Sequence, residues 1–551
     1  METNVLYYGD NLDILRKREH FPDESVDLIY LDPPFNSNRS YTVLFSESTG
    51  AASEAQIEAF EDAWHWGEAT ARAYEEVMSG PYQRVARMLK AMVDGLGHND
   101  VTAYLTMMAI RLVELHRVLK ATGSIYLHCD PTAGPYLRVI MDSIFEPRNF
   151  VNEIVWRRSD AKGDTGQGAK HFGRVNDVLL FYAKSSEYSF SPLFRELDPD
   201  YVERFYRYRD PDGRRYKLDN MLGPGGAAKG NPSYEVMGVS RYWRYSRQHM
   251  EELIKAGRVV QTKPGTVPMY KRYLDESKGT PLTTNWADIS LIRGWSHEKL
   301  GYATQKPLAL LERIINASSN PGHIVLDPFC GCGTAVHAAH KLGRRWIGID
   351  ITHLAISLIR RRMQDAFPGI PIEVIGEPVD LAGAHDLAER DKYQFQWWAL
   401  DRLGAQPVSG KKKGSDKGID EVIPILLGGT ADKPEYGRVL VSVKGGGHVN
   451  VTMVRDLKGV LEREGEPIGI VLTLVPPTKD MTTEAAAGGF YESKLWQRKF
   501  PRLQIITVEE MLAGKRPSIP WGRAPFAKAP TEKEQADQQA LRGFGGDLDE
   551  S

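Results

Sequence analysis

Val325-Leu326-Asp327-Pro328-Phe329-Cys330-Gly331-Cys332-Gly333-Thr334 says more about architecture than any other segment of this 551-residue chain. Ile324 to Leu326 is apolar and predicts a strand. Gly331 and Gly333 let the backbone turn sharply and approach a ligand closely. From Gly331 to Leu342 the chain turns into a helix, and Trp346 to Ile349 predicts a second strand. Asp350 closes that strand, where a carboxylate can accept hydrogen bonds from ribose hydroxyls. A plain strand–helix turn has the same pattern, and a dinucleotide-type cofactor fits the spacing nearly as well.

Outward from this turn the same alternation recurs. Val5 to Tyr8 predicts a strand ending at Gly9-Asp10, with a helix over Leu12 to Arg18. Val26 to Leu31 predicts another, ending at Asp32-Pro33-Pro34-Phe35. Tyr104 to Leu119 has Leu105, Met108, Leu112 and Leu115 on one helical face, and Ser124 to His128 is a strand. Pro307 to Ala317 is helical. Strand, helix and strand with polar groups at the strand ends predict an open α/β sheet. From about Arg158 to Leu300 the texture changes: Gly and Pro are frequent, and basic and aromatic residues cluster. Beyond Val379 a third unit begins, with helices at Tyr393 to Leu403 and Met453 to Glu464. Its strands are Val422 to Leu427, Val439 to Val443 and Ile468 to Leu474.

Composition sets the limits. At roughly 100–200 residues per domain, two to four domains are expected. No run of about 18 apolar residues predicts a membrane span, and the N-terminus lacks a secretory pattern. Three cysteines, Cys129, Cys330 and Cys332, do not make a disulfide framework. A cytoplasmic location fits. Net charge is -2, so any nucleic-acid surface must be local. Residues 201–250 supply one, with ten Lys/Arg against five Asp/Glu.

Asp327-Pro328-Phe329, Gly331, Gly333-Thr334 and Gly348-Ile349-Asp350 resemble the cofactor motif of amino-methyltransferases. Thr304-Gln305-Lys306-Pro307 resembles the motif preceding it, and Leu31-Asp32-Pro33-Pro34-Phe35-Asn36 the adenine-N6 form of the catalytic loop. The order of the two motifs is similar to the β class, as in type III modification subunits, over roughly residues 1–375. The resemblance implies a Rossmann-like methyltransferase mixed sheet with an inserted recognition domain. It implies S-adenosylmethionine as cofactor, held by Asp10, Lys306, Asp327, Phe329, Gly331, Gly333, Thr334 and Asp350. Asp10 is expected near the adenine, and it is equally suited to cap a helix.

The loop residues suit the implied chemistry. An exocyclic amine is a poor nucleophile because its lone pair is delocalised into the ring. Asp32 and the Pro33 carbonyl can accept from its two hydrogens and free that lone pair. Pro33 and Pro34 stiffen the loop, so the acceptors need little reorganisation. Phe35 can stack on a base that has left the helix. Serine in place of Asp32 would have pointed to cytosine-N4, which stays as the alternative target.

Three further expectations follow. Arg204, Arg207, Arg209, Arg241, Arg244, Lys271 and Arg272 are expected to contact DNA. Ser415 to Asp420, with Val441-Ser442-Val443-Lys444, resembles an Mrr-like restriction-endonuclease domain over about residues 390–510. There Asp420 and Lys444 match the Mg²⁺-dependent site, and Ser442 departs from it. An active nuclease that cleaves unmodified DNA, a DNA-binding or regulatory relic, and a structural unit all stay open. The implied domains are 1–157 (catalytic half), 158–300 (target recognition) and 301–378 (cofactor half). A smaller C-terminal α/β restriction-endonuclease-like domain at 390–515 and a disordered tail at 530–551 complete them. Restriction or defence-system subunits and a homodimer are the expected partners besides DNA, with no membrane.

Overall fold

The computed structural model describes residues 1–34, 66–159, 170–173, 175–292, 296, 298–300, 304–405, 421–430 and 433–520. Two compact units emerge: Met1–Ser191 with Thr284–Ser551, and Pro192–Thr283.

Nine strands of the larger unit form one sheet: β1 (Val5–Tyr8), β2 (Val26–Leu31), β3 (Leu119–Cys129), β4 (Phe150–Arg157), β5 (Asn176–Ala183), β6 (Asn285–Trp286), β7 (Ile324–Asp327), β8 (Arg345–Asp350) and β9 (Glu373–Ile375). Their order is β6-β4-β5-β3-β2-β7-β8-β1-β9. The six strands from β3 to β9 in that order run parallel. β5 is antiparallel to both β3 and β4, which makes the sheet mixed.

Alternate strand residues serve two different cores. Ile29 and Leu31 pack into a layer with helices Asp100–Val118 and Gly134–Phe145. Leu28 and Tyr30 face helices Leu308–Ser318, Thr334–Lys341 and His353–Ala366. Burial on both faces is why β2 is an almost unbroken apolar run. The helix expected from Tyr104 begins at Asp100 because Asn99 caps it: Asn99 accepts the Thr102 N–H at 3.1 Å, and the Thr102 hydroxyl accepts the Asn99 N–H at 3.0 Å.

The smaller unit is narrower than the expected 158–300 region. β5 and β6, from within that range, are strands of the large sheet instead. The unit has a four-stranded antiparallel sheet: Val259–Val260, Met269–Tyr273, Arg215–Asn220 and Tyr208–Arg209. Beside it lies a hairpin, Ser233–Val236 with Val239–Tyr242. Met221, Val236, Trp243 and Met250 form its small core.

Towards the C-terminus, β10 (Glu421–Thr430), β11 (Lys433–Lys444), β12 (Ile468–Thr473) and β13 (Leu503–Thr507) form a second sheet in that order. This segment, expected as a separate domain over 390–515, shares a core with the large unit. Phe395, Trp398, Ile423, Val439 and Ile470 belong to one buried cluster with Ile359 and Met363. The segment proposed as a tail, 530–551, lies outside the described residues. Among the described residues, no helix is long and apolar enough to cross a membrane.

Candidate active site

Parallel register brings several strand ends to one edge. Tyr8 lies opposite Asp350, Asp327 opposite Gly348, and Leu31 opposite Leu127. Asp10, Asp32, His128, Asp327 and Asp350 therefore gather where the strands finish, the usual ligand edge of an open α/β sheet.

On β7 and β8 the site is built from carboxylates and a glycine turn. Asp327 accepts the Phe329 N–H at 3.1 Å. Burial pushes its carboxyl well above the usual range, and the charges of Asp32 and Asp350 add to the rise. Asp350 is pushed up to about 6 by burial, against hydrogen bonds from Thr352 and Gly331. It accepts the Thr352 N–H at 2.9 Å, the Thr352 hydroxyl at 2.8 Å and the Gly331 N–H at 2.9 Å. Gly331 and Gly333 have φ of +49° and +72°, the left-handed region that glycine enters without strain. The Thr334 hydroxyl donates to the Lys306 carbonyl at 3.3 Å and accepts from Arg362 at 3.0 Å. A glycine-lined turn beside one buried carboxylate, Asp327, and one half-buried carboxylate, Asp350, suits a ligand carrying hydroxyls and positive charge.

Asp10 and Asn11 brace this edge from β1. Asp10 caps its helix by accepting the Leu12 N–H at 2.7 Å. Both of its oxygens also accept from Arg111, at 2.9 and 2.7 Å. Asn11 donates to the Pro328 carbonyl at 2.8 Å.

The Asp32 carboxylate, at the end of β2, accepts from the Lys306 ammonium through Oδ2. Lys306 was expected to hold cofactor; its ammonium donates to the catalytic-loop carboxylate. On the other side, His128 Nδ1 lies 3.9 Å from Asp32 Oδ1. Pro33 is buried and Pro34 half-buried. Phe35 lies outside the described residues.

Sequence reasoning did not find Arg111, Arg362, His128 or Asp177. Each acts across strands or helices far apart in the chain, so no local pattern marks it. The one available signal was position, since His128 ends a predicted strand as Asp32 does.

The residues expected to contact DNA lie in the smaller unit and divide in two. Lys271 pairs with Asp210 at 2.7 Å and Arg272 with Asp219 at 2.5 Å, so their charges are already matched. Arg204, Arg207, Arg209, Arg241 and Arg244 are exposed, with no carboxylate partner among the described residues. Arg204 lies over the Phe205 ring and Arg207 over Tyr208.

A family model described as DNA methylase, covering the N6 and N4 methyltransferases, matches residues 26–361. The chain belongs to this DNA methylase family. It is 32% identical over 263 residues to the type II methyltransferase M.EcaI of Enterobacter cloacae, covering 47% of this chain and 57% of that one. It is 26% identical over 354 residues to the type III restriction-modification enzyme StyLTI Mod subunit of Salmonella typhimurium, covering 62% of this chain and 50% of that one. DNA adenine methyltransferase YhdJ of Escherichia coli is 27% identical over 366 residues, covering 66% and 84%. This DNA methylase chain thus spans 57% and 50% of the lengths of the first two relatives. The family match ends before the second sheet.

Proposed function

We propose that this chain transfers a methyl group from S-adenosylmethionine to an exocyclic base amine of DNA, at adenine N6. The observation that carries the reading is the Asp32-Pro33-Pro34 loop, fixed at a strand end beside the Asp327–Asp350 edge, in a chain of the DNA methylase family. The chemistry of the donors fits the cofactor. In this reading Asp350 accepts from ribose hydroxyls, and Asp327 from an amino group. Bound S-adenosylmethionine supplies a methyl group on a cationic sulfonium.

Asp32 and the Pro33 carbonyl accept hydrogen bonds from the amine and so raise its nucleophilicity. Because both acceptors are held by the fold before substrate arrives, little reorganisation is needed at the transition state. Aspartate at position 32 favours adenine over cytosine-N4, and one relative is named a DNA adenine methyltransferase. Names of type II and type III enzymes among the relatives support a role within a restriction-modification system.

The second sheet does not fit a Mg²⁺ centre. Ser442 is neutral and buried where the second ligand would stand. Asp420 lies outside the described residues, and among those described no cluster of three metal-ligating side chains occurs. Lys444 ends β11. A DNA-binding or regulatory role suits this unit better than cleavage.

The deciding experiment is transfer of labelled methyl to unmethylated DNA by wild type and by Asp32→Ala, with cofactor affinity measured in parallel. Transfer should vanish in the variant while cofactor affinity stays within a few-fold. A variant that methylates at the wild-type rate would sink the assignment. Sequencing of the modified DNA distinguishes adenine N6 from cytosine N4.

A further inference from the structure

The second sheet carries a feature that methyl transfer does not use. Between helix Lys479–Ala487 and β13, Phe490–Ser493 and Arg498–Pro501 pair as an antiparallel hairpin. Its base is anchored. Ser493 and Phe500 are buried, Phe500 lies in the core shared with the large sheet, and Tyr491 packs against that core. Its tip is free: all six residues from Lys494 to Lys499 are exposed. Leu495 and Trp496 are 46% and 47% exposed there. The turn is nonetheless fixed. The Trp496 N–H donates to the Ser493 hydroxyl at 3.3 Å, and Gln497 has a φ of +47°. Left-handed backbone disfavours any residue with a Cβ, so this turn is held at a cost.

Charge is uneven on the same element. Residues 490–502 hold Lys494, Arg498, Lys499 and Arg502 against one acid, Glu492. Lys499 pairs with Glu492, its neighbour across the hairpin. Lys494 and Arg498 have no carboxylate partner among the described residues, and Arg498 lies over the Phe500 ring at 5.6 Å.

Unpaired cations beside exposed apolar side chains discriminate between partners. An apolar protein surface, a second copy included, would cover Leu495 and Trp496. It would also strip water from Lys494 and Arg498 without offering a counter-charge, which is costly. Duplex DNA matches both features. Phosphates take the cations, and an apolar wedge can enter between base steps and kink the duplex. We propose that this hairpin is a second DNA contact of the chain, with Lys494 and Arg498 on phosphates and Leu495 and Trp496 wedged between base steps outside the target. It gives the DNA-binding reading of the second sheet a surface. It rests on the methyl-transfer reading above in taking duplex DNA as substrate.

Two double variants of the full-length chain test the two parts. Fluorescence anisotropy with a labelled duplex across a salt series gives affinity and its salt slope, and energy transfer between dyes at the duplex ends gives the bend. Lys494→Ala with Arg498→Ala should weaken binding at least about fivefold and reduce the salt slope by roughly 1.8, about 0.9 per phosphate contact. Leu495→Ala with Trp496→Ala should weaken binding by a similar factor, keep the slope and reduce the bend. All four residues are exposed, so the melting temperature and the affinity for S-adenosylhomocysteine should stay at wild-type values. Wild-type DNA affinity in either variant overturns the proposal, as does a charge variant that keeps the full slope. If the apolar variant keeps its DNA affinity but converts a dimer to a monomer in sedimentation, the face joins two copies and the proposal fails. A wild type that binds no duplex overturns the methyl-transfer reading and this proposal together. A wild type that binds and methylates DNA, with indifferent hairpin variants, overturns this proposal alone.

Discussion

Lys306 and Asp350 show how much the meaning of a single residue depends on its neighbours. Lys306 sits in the motif expected to hold cofactor, yet its ammonium goes to the Asp32 carboxylate. That placement is reasonable at an edge with three carboxylates, because Asp32 and Asp350 both raise Asp327 while Lys306 opposes the rise. Asp350 has a measurable consequence. Its ordinary value is 3.8 and burial pushes it up to about 6. A carboxyl raised in this way stabilises the fold in its protonated form. That contribution is full below about 3.8 and is lost as pH rises through about 6. In the proposed role Asp350 accepts from ribose hydroxyls in its ionised form, so cofactor affinity is expected to have the opposite slope. We expect the dissociation constant for S-adenosylhomocysteine to rise about tenfold per pH unit below the Asp350 midpoint. Asp350→Asn should bind weakly at every pH and lose that slope. Calorimetric titrations between pH 5 and 8 check both, on the order of one unit apart. A flat wild-type profile would remove Asp350 from the cofactor site.

The strand–turn–helix element from β7 into Thr334–Lys341 makes a sharper demand. A Cβ on Gly333 would lie 2.8 and 2.9 Å from Ile359 side-chain carbons, and φ there is +72°. Left-handed backbone costs a non-glycine residue about 1–2 kcal/mol before any overlap. Gly333→Ala should therefore lower the melting temperature by several degrees, and adding Ile359→Ala should recover part of that loss by removing the overlap. A Gly333→Ala protein that melts as wild type would mean the turn is looser than its geometry. This element was legible in sequence because its glycines and terminal acids are local signals. β2 and β8 were legible for a related reason: strands buried on both faces appear as apolar runs. β5 was assigned to the recognition region because antiparallel pairing with β3 and β4 leaves no local trace. His128 was missed for the same reason, since its place beside Asp32 depends on the register between β2 and β3. The basic cluster was legible as composition only. Asp210 and Asp219, which neutralise Lys271 and Arg272, lie more than fifty positions away in the chain.

At the scale of the whole molecule, the second sheet and the unit Pro192–Thr283 differ in how they are joined to the rest of the chain. The second sheet shares a core with the methyltransferase helices through Phe395 and Trp398, so its removal would expose apolar surface. The unit Pro192–Thr283 has its own small core instead, and its two ends meet: the Leu282 N–H donates to the Leu193 carbonyl at 2.9 Å. A short glycine-serine linker can therefore replace it without stretching the large sheet. The exposed arginines Arg204, Arg207, Arg209, Arg241 and Arg244 all leave with it. We expect the excised protein to fold, to melt near the wild-type temperature and to bind S-adenosylhomocysteine with wild-type affinity. Its affinity for duplex DNA should fall by at least about tenfold, with a shallower dependence on salt because fewer phosphate contacts remain. Fluorescence anisotropy on labelled duplex across a salt series measures both quantities. Unchanged DNA affinity would move recognition to another surface, and lost cofactor binding would show that the large unit depends on the smaller one for its fold.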